Sequence, residues 1–115
     1  MGDLEGPLPA ATFHILLALT DGPKHGYAIM QRVEDLSDGS VRMGPGTLYG
    51  TVKRMLTDGL IEEVAGPDGE DDRRRTYRLT AAGQTSCAAE VRRLSKLLSD
   101  AAVKRWSRGL SPGTA

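Results

Sequence analysis

The sequence predicts a mainly α fold with one small β-hairpin. Three observations carry that expectation. Four segments show the apolar pattern and the end signals of helices. Two short strand-like runs flank a stretch rich in Gly, Pro and Asp. The last third of the chain carries a narrow, heptad-like apolar seam.

Residues 1–7 read as a loose arm. Pro9 suits a helix start, and AATFHILLALT continues from it. Apolar residues there run nearly all the way round, which fits a central, buried helix. DGPKHG then breaks the chain with Asp-Gly-Pro turn chemistry. A second helix spans roughly 25–37, with Ile29, Val33 and Leu36 at i, i+4 and i+7. SDGS ends it, and VRM is a short extended piece.

The third helix begins near Pro45, where a missing N–H is no loss, and runs to about Asp58. Gly59 supplies the stop. Leu48, Val52, Met55 and Leu56 fall on one side of this helix. Thr47, Gly50, Lys53, Arg54 and Thr57 fall on the other, so the outer face is small, polar and basic.

LIEEVA (60–65) and RRTYRL (74–79) flank GPDGEDDR and form a hairpin with a charged tip. Residues 80–107 read as one long helix with Thr80 as N-cap. Cys87, Val91, Leu94, Leu98 and Ala101 recur along it at alternating spacings of four and three. That seam suits packing against another helix. Residues 108–115 read as a disordered tail.

With 115 residues, the chain has room for one domain with a small core. Aromatic residues make up only 4% of it, and a small core of this kind often grows by dimerisation. The formal net charge is zero, but charge is segregated. Asp68, Glu70, Asp71 and Asp72 directly precede Arg73, Arg74 and Arg75. A single cysteine, Cys87, excludes a disulfide within the chain and a thiolate metal cluster. The start is acidic, unlike a signal peptide, and the apolar run 15–19 is too short to span a membrane. A cytoplasmic protein without a cofactor is the expectation.

VRMGPGTLYGTVKRM raises the question of a phosphate cradle. Gly50 is followed by Thr51 and Val52, so no Gly-Lys-Ser/Thr sequence completes a Walker loop. The dinucleotide fingerprint fails too, because its third glycine comes one residue late. The neighbouring elements give the stretch another use. Three helices followed by a charged hairpin is the order of a winged helix-turn-helix. There the third helix enters the major groove of DNA and the hairpin follows the backbone.

Each part fits that use. Gly50 in an exposed mid-helix position costs roughly 1 kcal/mol of helix propensity, and a close approach of DNA would account for it. Lys53 and Arg54 can neutralise phosphates or read guanine, and Thr47 can bond phosphate at a helix N-terminus. Arg73, Arg74 and Arg75 make a cationic finger, with an ion-paired, solvated wing as the plainer reading. The acidic tip would hold these arginines until a phosphate backbone displaces it.

LLALTDGPKHGYAIMQRVED, GPGTLYGTVKRMLTDGLIEE and RRRTYRLTAAG together resemble the PadR family of bacterial transcriptional regulators. The resemblance covers roughly residues 13–105, and GTLY with KRMLTDGLI is its most specific part. The end of the chain is similar to the compact subfamily with a single dimerisation helix. The resemblance implies a homodimeric repressor of a palindromic operator, joined through the last helix. It implies a DNA-binding domain over 8–79 and a dimerisation helix over 80–107. It places Thr47 and Tyr49 at the start of the recognition helix, His25 and Tyr27 near the DNA backbone, and Arg73, Arg74 and Arg75 in the wing. By geometry Tyr49 lies at the edge of the core face, so core packing and phosphate contact stay open for it.

Drug-sensing members of the family tend to carry aromatic residues in the dimer helix. Here the middle of that helix offers Leu94 and Leu98, and Trp106 is its one aromatic, near the end. Trp106 is a candidate contact for a small-molecule effector, against the alternative of capping the dimer seam. His14 and His25 lack a carboxylate cluster, so a metal site is not expected. Cys87 on the seam reads as a buried small apolar residue. No catalytic constellation is readable from spacing. The rival class is a winged-helix module that binds another protein without specific DNA binding.

Overall fold

The computed structural model describes residues 7–65 and 75–110. The expected acidic hairpin tip, Arg73 and Arg74 lie outside the described residues. The order is α1 (Ala10–Ala18), β1 (Lys24–His25), α2 (Gly26–Leu36), α3 (Pro45–Thr57), β2 (Ile61–Val64), β3 (Thr76–Leu79), α4 (Ala81–Leu98) and α5 (Ala101–Gly109).

Helix α1 is central, as its all-round apolarity implies: it packs on α2, α3 and α4. Ile15 and Leu16 are fully buried and share one core with Ile29 and Val33 of α2 and Leu48, Val52 and Met55 of α3. Each such side chain contributes roughly 1.5–3 kcal/mol by leaving water. In α2 the expected stripe ends early, since Leu36 is exposed. The turn after α2 holds Asp38 and Gly39 in the left-handed region. Ser37 closes it, accepting the Val41 N–H at 3.0 Å and donating to the Val33 carbonyl.

Pro45 opens α3, and its C-terminal stop, Gly59, has φ +76°. The buried side of α3 is Leu48, Thr51, Val52 and Met55. The sheet has three strands in the order β1-β3-β2, all antiparallel. Two of them are the expected hairpin, with Ile61 opposite Leu79 and Val64 opposite Thr76. The third, β1, corrects the reading of DGPKHG as a turn only. Lys24 pairs with Tyr77 and His25 with Thr76. Two residues are too few to show a strand period.

Thr80 is the N-cap of α4, its hydroxyl accepting the Gly83 N–H at 3.0 Å. Its own N–H donates to the Leu60 carbonyl, so the helix starts anchored on β2. The single long helix expected over 80–107 is two helices. Asp100 takes an extended conformation, ψ 130°, and its carboxylate accepts the Val103 N–H at 3.0 Å. Ser99 donates to the Lys96 carbonyl at 2.8 Å. Ser and Asp side chains compete with the helix for backbone partners and cap a new start. Helix α5 then runs through Gly109, so Arg108 and Gly109 are helical and not tail.

Candidate nucleic-acid interface

The outward side of α3 is Gly46, Thr47, Gly50, Lys53, Arg54 and Thr57, all exposed. Gly46, Gly50, Lys53 and Thr57 follow one another at spacings of four, three and four, a single stripe along the helix. Nothing stands within 4 Å of where a Gly50 Cβ would be, so the stripe has a gap at its middle. Among the described residues no carboxylate pairs with Lys53 or Arg54. Thr47 and Arg54 flank the stripe on one side and Tyr49 on the other. The face is therefore a cationic ridge around a bare backbone segment.

The start of α2 adjoins this ridge. His25 is its N-cap, with Nδ1 accepting the Ala28 N–H at 3.4 Å. Tyr27 is 62% exposed and accepts a bond from Gln31 at 3.2 Å. Tyr49 joins the two helices, its ring tip lying over Gly26 of α2. This side chain is also 46% exposed, so it packs on the α2 start while still facing solvent.

The wing enters through β1. His25 stands opposite Thr76, and Arg75 directly precedes Thr76. Arg75, His25, Gly26 and Tyr49 thus form a chain of neighbours from the wing to the α3 ridge. Arg75 is half-exposed and pairs with Glu63 of β2 at 3.4 Å. Arg78 pairs with Glu62 at 2.7 Å. Both of these acids belong to the facing strand β2. Tyr77 is 4% exposed, and burial followed by the Glu63 charge pushes its phenol up.

The seam residues divide. Cys87 is buried, with its thiol pushed up by burial, and Leu94 is partly buried. Val91 and Leu98 are exposed, 41% and 65%. Ala101 is the first residue of α5 and no longer continues that seam. Trp106 is 68% exposed on the same side of α5 as Val103 and Leu110. Two participants escaped sequence reasoning. Gly26 seats Tyr49, and Gly46 extends the outer stripe. The glycine in HGY was a signal for the first, but a distant pair of residues announces no contact.

A helical bundle with a small antiparallel wing and an outward cationic third helix is a winged helix-turn-helix, the class of DNA-binding transcriptional regulators. Residues 15–89 match the model of the transcriptional regulator PadR-like family, and the chain belongs to that family. It is similar to the transcriptional regulator Rv3488 of Mycobacterium tuberculosis, 38% identical over 89 residues, covering 76% of this chain and 78% of that one. It is 39% identical over 83 residues to an uncharacterised 37.1 kDa protein in transposon TN4556 of Streptomyces fradiae. That match covers 72% of this chain but spans only 22% of the transposon protein. The fold is also that of Bacillus subtilis PadR, solved in complex with operator DNA. There the TM-score is 0.63 at 19% identity, over 72% of this chain and 47% of that one.

Proposed function

We propose that the chain binds a roughly palindromic operator as a homodimer and represses transcription from it, in the cytoplasm. The outward ridge of α3 carries the reading: unpaired Lys53 and Arg54 beside the bare backbone of Gly50. Base contacts would come from Thr47, Gly50, Lys53 and Arg54. Phosphate contacts would come from Tyr49, His25, Tyr27 and the wing arginines Arg73, Arg74 and Arg75.

The far end of the molecule supports the dimer. The radius of gyration is 16.3 Å, against about 13 Å for a compact domain of this length. Leu97, Leu98, Val103, Trp106 and Leu110 are each 44–68% exposed on that projecting end. A second copy would cover them and set its recognition helix about 34 Å from the first, one turn of DNA. A small molecule held near Trp106 would release the operator by favouring a different spacing.

The test is titration of DNA upstream of the chain's own gene, at several salt concentrations. Lys53→Ala with Arg54→Ala removes four cations from a dimer, so it should weaken binding and flatten its salt dependence by up to about four counterions. Unchanged binding by that variant would move the face to a protein partner. Sedimentation of Leu98→Asp with Trp106→Ala should give a monomer.

A further inference from the structure

We propose that Gly26 is a positioning residue for DNA recognition, holding Tyr49 where it completes the edge of the α3 ridge. The inference rests on the DNA-binding reading above. A Cβ on Gly26 would stand 2.8 Å from Tyr49 Cζ and closer still to its hydroxyl. Real Cβ atoms essentially never come that near, so any other residue at this position must move the ring. The backbone at Gly26 is ordinary and helical, so a left-handed conformation does not explain the glycine. Space for the tyrosine does.

The ring has little choice of exit. On its inner side stands the buried Tyr77, whose phenol is near enough to feel the Tyr49 hydroxyl as the smallest of the influences that push it up. The open direction is outward, where Tyr49 is already 46% exposed. A displaced ring would therefore swing into the space beside Gly50 and Lys53, where a duplex must come closest. Only the far end of a side chain has to yield, so the fold survives and the interface changes. The contact also sets how far the starts of α2 and α3 stand apart, and with it the spacing of His25 from Thr47.

The experiment is a double-mutant cycle with Gly26→Ala, Tyr49→Leu and the pair, measured by anisotropy on operator and on non-specific DNA. Melting temperature is followed in parallel. Gly26→Ala should lower operator affinity about tenfold, and should lower the operator-to-non-specific ratio, with the fold retained. In the Tyr49→Leu background the same change should cost less than about twofold, because the flexible, shorter side chain clears the added methyl. Equal losses in both backgrounds, or no loss from Gly26→Ala, would overturn the proposal. If Gly26→Ala does not fold, rescue of folding in the double variant supports the contact and failure of both overturns it. Absence of operator binding by the unmodified chain would defeat the DNA reading instead, leaving the coupling to be read from the melting temperatures.

Discussion

The Cα of Gly83, in the first turn of α4, lies against the backbone carbonyl of Leu60 at the entry to β2. The helix start and the strand start share one junction, closed by Thr80, whose N–H donates to the same carbonyl at 3.1 Å. Gly83→Ala should destabilise the fold by about 1–3 kcal/mol, the usual cost of overpacking. The gain of roughly 1 kcal/mol that Ala brings to a helix does not offset a collision with backbone. Urea denaturation checks it; a variant as stable as the parent would show that the junction yields.

Gly50→Ala has the opposite profile. Nothing occupies the space beside Gly50, so alanine should raise stability by about 1 kcal/mol through helix propensity. On the proposed reading operator affinity should fall, because the added methyl would stand where the duplex approaches. Thermal melting and a gel shift on the same preparation decide it. A variant that is more stable and binds as tightly would remove Gly50 from the interface.

Glu63 lies in the wing beside Arg75 and opposite Tyr77. Glu63→Gln should tighten non-specific DNA binding several-fold at low salt, since one competing carboxylate leaves the wing. The gain should vanish in high salt. Equal affinities at low salt would place the wing away from the duplex.

Glu90 is buried on α4, where it accepts Arg93 bonds at 2.9 and 2.7 Å and the Leu8 N–H at 3.4 Å. The Arg93 guanidinium, first among the causes, holds this carboxyl below its ordinary value of 4.5. The folded state then binds fewer protons than the unfolded chain. Its contribution is complete above pH 4.5 and is lost as pH falls toward the depressed value. Urea midpoints measured from neutral pH down to pH 3 should drop less steeply for Glu90→Gln than for the parent.

The helices, the hairpin and the two-sided character of α3 were legible because burial imposes a period on sequence. Leu48, Val52 and Met55 repeat as a buried face must, and Thr80 announces its cap locally. β1 was not legible, because Lys24 and His25 owe their strand state to Thr76 and Tyr77, some fifty residues away. The break after α4 left a readable mark, a Ser-Asp pair ahead of a new amphipathic run. The continuous apolar spacing through Leu98 and Ala101 masked it. The outer stripe followed from spacing, whereas the Tyr49 seat on Gly26 joins two helices whose separate patterns say nothing of each other.

The extended residue at Asp100 changes how force passes through the chain. A continuous rod would carry any twist at its far end straight back to Thr80 and the wing. Two helices joined at an elbow do not: α5 can settle against a neighbour in its own orientation while α4 keeps its anchor on Leu60. In the proposed dimer the last helix would then act as a foot that sets its own angle on the leg formed by α4. An imperfect half-site spacing in that dimer would be taken up at Ser99 and Asp100, leaving the α3 ridge undistorted.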